Sequence, residues 1–227
     1  TNTTNQEVTL PEEEIDPNAY YITNKSDGKY LGADGNLNTV SAKSVSTVTG
    51  SGGIFNIAVD RDSQPNVYFS SGSKTFSGNT NPANLNVYKV IGTDGNTYTA
   101  EYVSEIESGA DYIVVCQSGG TYYALTNKTN GSTGSSLRLL PATVSVSGGT
   151  LTYADDSGDD EYSAVWNFIS LADEAAKESG YYITNVQNDK YLAISGNLNT
   201  VANKSVSKIT ETDGNFTIEV EGKAAQP

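Results

Sequence analysis

Residues 20–59 read YYITNKSDGKYLGADGNLNTVSAKSVSTVTGSGGIFNIAV, and residues 181–220 read YYITNVQNDKYLAISGNLNTVANKSVSKITETDGNFTIEV. The two stretches align without a gap, and about half of their positions are identical. What they share divides into short strand-like runs and the turn residues between them. Tyr20 and Ile22 fall on one face of an extended strand and Tyr21 on the other. Asp27-Gly28 is a hairpin signal, and Lys29-Tyr30-Leu31 returns as the partner strand. In the second copy Asn188-Asp189 holds this turn, and both residue types tolerate the left-handed region. Asp34-Gly35-Asn36, matched by Ser195-Gly196-Asn197, makes a second tight turn. Leu37 to Val40 and Lys43 to Thr49 alternate apolar and polar, Gly50-Ser51-Gly52-Gly53 breaks the chain, and Phe55-x-Ile57 closes the unit. Helical periodicity is absent, so each copy predicts about four short strands.

Outward from the repeat, the region 112–169 has the same skeleton in diverged form. Tyr112-Ile113-Val114-Val115 matches the entry strand, Gly119-Gly120 the turn, and Tyr123-Ala124-Leu125 the returning strand. Val144-x-Val146 and Trp166-x-Phe168 complete it, with extra loops at 129–136 and 155–161. Residues 60–103 are strand-like at Val67-Tyr68-Phe69 and at 85–90, and read either as an insertion or as a unit in their own right. The predicted organisation is an acidic lead-in at 1–18, a repeat unit at 19–59, the extra β segment at 60–103, a diverged unit at 104–171, a connector at 172–179 and a last unit at 180–227. Leu171-Ala-Asp-Glu-Ala-Ala-Lys in the connector has the makings of a short helical turn. Ser63-Gln64-Pro65 echoes Ala225-Gln226-Pro227, so the last unit reads as cut short and the chain as part of something longer.

Three units of short strands, each unable to bury its apolar face alone, predict an all-β protein with a β-trefoil-like arrangement in which the units close one barrel. If 60–103 is itself a unit, the chain holds one complete trefoil followed by an orphan unit. Tandem β-sandwich modules are the alternative architecture.

Composition narrows the function. The net charge of −14 repels phosphate backbones and anionic lipid surfaces, which argues against nucleic-acid partners and direct membrane contact. No histidine is present, which removes the commonest general base and the Ser-His-Asp and Cys-His systems. A single cysteine, Cys116, excludes an internal disulfide. Within YIVVCQ it reads as a small core residue, and a thioester with Gln117 is disfavoured because neighbouring strand residues point to opposite faces. Fifteen tyrosines among many Thr, Ser, Asn and Gly residues suit a secreted β-rich protein.

The run YYI…GKYL…GNLNTV…F-x-I, followed by YIVV…YYAL…VSV…VWNF, resembles the tandem modules of large surface proteins of gut bacteria, in particular anchored adhesins. Its Tyr-Tyr-Ile-x-Asn…Gly-Lys-Tyr-Leu portion is also similar to the entry hairpin of ricin-type β-trefoil lectin units. The resemblance covers the chain from about Tyr20 onward and implies an extracellular, cell-surface binding protein. Those lectin units usually carry Gln-x-Trp late in each unit, whereas this chain has Val165-Trp166-Asn167, Ile54-Phe55-Asn56 and Asn215-Phe216-Thr217, with no glutamine in any.

Candidate sites follow from residue type. A sugar site pairs a ring that stacks on the pyranose with Asp or Asn groups that take its hydroxyls. Tyr21 with Asn36 and Asn38, and Tyr182 with Asn197 and Asn199, fit that description, although such residues equally flank cores and serve turns. Asp155, Asp156, Asp159 and Asp160 form the densest acidic cluster and are a weak calcium candidate, without the spacing of an EF-hand. Asp34, Asp94 and Asp111 read as turn and cap residues, not as a glycosidase pair. No phosphate loop, zinc spacing or cofactor motif occurs. The expected function is a non-catalytic extracellular module that binds glycan or protein ligands in adhesion. The alternatives are a structural stalk repeat and an accessory domain of a carbohydrate-active enzyme.

Overall fold

The computed structural model describes residues 15–155, 162–178, 183–184, 187–188, 190–195, 197–201, 207–212 and 215–220. The chain divides into two units, Thr1–Asp173 and Glu174–Pro227. It is all-β, and the first unit is a closed antiparallel barrel with additional strands.

The first repeat supplies β1 (Ala19–Asn24), β2 (Tyr30–Asp34), β3 (Asn36–Val40), β4 (Val45–Ser51) and β5 (Ile54–Val59). Its turns are made as the sequence suggests. The Asp27 carboxylate accepts the Lys29 N–H at 3.0 Å, and Gly28 N–H donates to the Asn24 carbonyl at 2.9 Å. Between β2 and β3 only Gly35 separates the paired residues Asp34 and Asn36. Its φ of 70° is left-handed, and a Cβ there would lie 2.4 Å from the Gly134 Cα, so both conformation and space demand glycine.

Next come β6 (Asn66–Ser70), β7 (Thr75–Asn79), β8 (Asn86–Asp94) and β9 (Thr97–Tyr102), then β10 (Ala110–Ser118), β11 (Thr121–Thr129), β12 (Leu139–Ser147), β13 (Thr150–Ala154) and β14 (Val165–Ser170). Every pairing is antiparallel, and a path of eleven strands returns to its start at β1. A closed path leaves no edge open, unlike the two facing sheets of a sandwich. Two shorter circuits lie within this network. One runs β1–β4–β5–β8–β10–β14, with β5 and β8 joined where Phe55 and Leu85 exchange backbone hydrogen bonds of 2.8 and 2.9 Å. The other runs β8–β9–β13–β12–β11–β10.

Each circuit has its own core. The first encloses Ile22, Val48, Phe55, Ile57, Val87, Tyr112, Val114, Trp166 and Phe168, with Leu31, Leu37, Val67, Phe76, Leu125 and Leu139 reaching in from hairpins. The second encloses Tyr88, Ala100, Ile113, Val115, Ala124, Val144, Leu151 and Val165. Strand β10 is shared, and its side chains alternate: Tyr112 and Val114 enter one core, Ile113 and Val115 the other. That is why this strand reads as an unbroken apolar run where a half-exposed strand would alternate. The Trp166 ring nitrogen donates to the Leu125 carbonyl at 2.8 Å, so the largest buried side chain leaves no polar atom unpaired.

The connector is a helix, α1 (Leu171–Glu178), longer than the single turn expected. Ser170 Oγ accepts the Asp173 N–H at 3.1 Å and caps its start, and Asp173 and Glu174 favour the positive end of its dipole. The second unit contains β15 (Tyr191–Ser195) paired with β16 (Asn197–Val201), and β17 (Ser207–Thr212) paired with β18 (Asn215–Val220). Their registers repeat those of the first copy. Tyr30 faces Val40 as Tyr191 faces Val201, and Ser46 faces Val59 as Ser207 faces Val220.

Candidate functional site

A polar seam forms where the end of β1 meets β11 and the approach to β14. Asn24, 1% exposed, donates from Nδ2 to the Ser163 carbonyl at 2.9 Å, and its Oδ1 accepts the Ser26 N–H and the Ser26 hydroxyl at 3.1 and 2.7 Å. Asn127 closes the loop: its Nδ2 donates to Ser26 Oγ at 3.1 Å and its Oδ1 accepts the Ser163 N–H at 2.8 Å. Both carboxamides are buried and bonded on either side, so they hold this corner rigidly.

Above the seam opens a hollow of about 540 Å³. Ser26, Asp27 and Lys29 line it from the β1–β2 turn, Asn38 and Thr39 from β3, Asn127 and Thr129 from β11, and Tyr162 from the approach to β14. Lys29 Nζ stands 3.7 Å from Asp27 Oδ2, and the Lys128 ammonium lies 4.9 Å from the centre of the Tyr162 ring. The hollow therefore offers a carboxylate, an ammonium, the Asn38 carboxamide, hydroxyls and one aromatic ring, over a floor that Asn127 holds. Such groups recognise a hydroxyl-rich ligand through hydrogen bonds and ring stacking.

The residues expected from the sequence fall differently. Asn38 lines the hollow. Asn36 does not: it is 4% exposed, and its Oδ1 accepts the Leu37 and Gly78 N–H groups, each at 2.8 Å, while Nδ2 donates to the Ser135 carbonyl at 3.0 Å. It is a joint that ties β3 to β7 and to the loop before β12. Tyr21 packs its ring edge-on to Tyr30 at 5.7 Å beneath the Lys43 ammonium at 5.2 Å, and is not among the residues lining the hollow. Tyr182 lies outside the described residues. Asn197 and Asn199 sit on β16 opposite Ser195 and Ala193, and their side chains also lie outside what is described.

Of the calcium candidates, Asp155 alone is described. Its N–H donates to the Asn96 carbonyl at 2.8 Å, and its carboxylate adds to the burial that pushes the Tyr153 phenol well above its usual range. Asp156, Asp159 and Asp160 lie outside the described residues. Among the described residues no three His, Cys, Asp or Glu side chains gather as metal ligands would. Burial pushes the Cys116 thiol up, which opposes a reactive thiolate.

Nothing local in the sequence marks Tyr162, Asn127 or Thr129, and there Asp27 reads as a hairpin turn and Lys29 as the start of its returning strand. Comparison with protein families, curated proteins and solved structures returned no match. The class that fold and site define is thus an all-β barrel protein with a polar, ring-bearing hollow.

Proposed function

We propose that residues 19–170 form a β-trefoil acting as a non-catalytic extracellular module that binds a hydroxyl-rich ligand, a glycan, in the hollow over Asn24 and Asn127. The trefoil reading is supported by the six-strand circuit and by the three hairpins β2–β3, β6–β7 and β11–β12, which branch from β1, β5 and β10. In it the units are β1–β4, β5–β8, and β10, β11, β12 with β14, so residues 60–103 belong mainly to the second unit, and β9 and β13 are additions.

One observation carries the binding reading: a carboxylate, a carboxamide and an aromatic ring, those of Asp27, Asn38 and Tyr162, converge from three separated stretches on one hollow. The acidic charge argues against nucleic acid or an anionic membrane as partner. The reading is tested on a glycan array with the whole chain. Array binding that falls at least about tenfold in Asp27→Ala and in Tyr162→Ala, a loss of roughly 1.4 kcal/mol, supports it; no array signal, or binding indifferent to both changes, removes it. The recurrence of the first copy's strand registers in the second unit favours a second reading, a tandem spacer repeat on a cell surface, which predicts no array signal.

A further inference from the structure

The eleven-strand path of the first unit closes on itself, and the hairpin β2–β3 hangs from it at β1. Among the described strands of residues 19–170, β3 alone hydrogen-bonds to a single neighbour, β2. Its far edge therefore carries backbone N–H and C=O groups that no described strand takes up. The start of β3 is pinned, because Asn36 Oδ1 accepts the Gly78 N–H from β7 at 2.8 Å. The open stretch is Asn38-Thr39-Val40, each residue half-buried. Proteins blunt such edges with lysine, proline or a bulge. This stretch has none of them: its register with β2 runs unbroken from the Asp34–Asn36 pair to the Tyr30–Val40 pair.

That edge opens on the hollow. Asn38 and Thr39 are adjacent, so their side chains leave the strand on opposite faces. Both line the hollow, which therefore touches the edge of β3 and not just one of its faces. A ligand seated there meets two kinds of group at once. One is the main-chain hydrogen-bonding edge that an added strand uses. The other is the carboxylate, carboxamide and ring of Asp27, Asn38 and Tyr162. An extended peptide satisfies the first, but no single side chain fills about 540 Å³, a volume in the range of small-molecule sites. A free glycan satisfies the second and leaves the edge bare. Resting on the glycan reading of the hollow, we propose that the partner is a glycopeptide. An extended polypeptide segment adds to β3 at residues 38–40 and places in the hollow a sugar borne on its own Ser, Thr or Asn side chain. The two contacts are linked, so once one forms the other follows at high effective concentration.

The test uses the whole chain and an array that carries each glycan free on a linker and also on the threonine of a short threonine-and-valine peptide. The same glycopeptide N-methylated beside that threonine, and the bare peptide, complete the probes. The peptide-borne glycan is expected to bind at least about tenfold more tightly than the free one. N-methylation, which removes a backbone donor from the ligand, is expected to abolish that gain. Amide exchange at residues 38–40 is expected to slow with the glycopeptide and not with the free glycan. Equal binding of free and peptide-borne glycan overturns the proposal and leaves the sugar reading of the hollow standing. So does a gain that survives N-methylation. Bare peptide that binds as tightly as the glycopeptide overturns both, as does silence from every probe.

Discussion

At the scale of single residues, Asn36 and Asn38 stand two apart on one strand and have opposite fates. Asn36 gives both ends of its carboxamide to backbone groups of other segments, while Asn38 faces the hollow. Asn36→Ala strands the buried Gly78 N–H, and the expected loss is about 1–3 kcal/mol, read as a lower urea midpoint with ligand affinity little changed. Asn38→Ala is expected to do the reverse, weakening binding at nearly constant midpoint. Gly35→Ala combines a left-handed φ with a clash against Gly134 backbone. Its expected cost is at least about 1–3 kcal/mol, seen as a lower melting temperature.

At the scale of elements, β10 decides how the molecule is put together. One strand with two apolar faces joins two circuits, so Tyr112, Ile113, Val114 and Val115 are core residues whichever way they point. Ile113→Ala in the second core is expected to cost as much as Ile22→Ala in the first, about 2–5 kcal/mol each, in chemical denaturation. A second core that was only loosely packed would instead show a small effect for Ile113→Ala alone. The ion pair between Lys25 and Asp111, 2.8 Å across the same region, has a half-exposed lysine and contributes little. Packing across the sheet, and not charge pairing, holds β10 in place.

For the whole molecule, tyrosines share the cores with phenylalanines: Tyr88, Tyr112 and Tyr153 are buried as Phe55, Phe69, Phe76 and Phe168 are. Burial pushes the phenols of Tyr20, Tyr88, Tyr112 and Tyr153 above their ordinary value of about 10. The folded chain then keeps phenolic protons that the unfolded chain releases. Stability is therefore complete below about pH 10 and falls as pH rises through the folded-state values. Melting temperatures measured from neutral pH upward should decline once pH passes about 10, and Tyr153→Phe should soften that decline. A flat profile would show that these phenols ionise alike in the folded and unfolded chain.

The sequence by itself determined the strand content, the turns at Asp27-Gly28 and Gly35, the duplication of 20–59 and the burial of the 112–115 run. These are local matters: alternation, turn chemistry and two-sided apolarity act over a few residues. Residues 19–59 hold five strands where about four are expected, because Lys43–Thr49 and Phe55-x-Ile57, which the sequence separates at Gly50–Gly53, are two full strands of one hairpin. Closure was decided by tertiary structure alone. That Phe55 bonds Leu85, that Asn36 faces inward, and that Asp27 and Tyr162 line one hollow depend on pairings between residues far apart in the chain. No local pattern encodes which distant strand a free edge will choose; the choice belongs to the packing that excludes water from both cores.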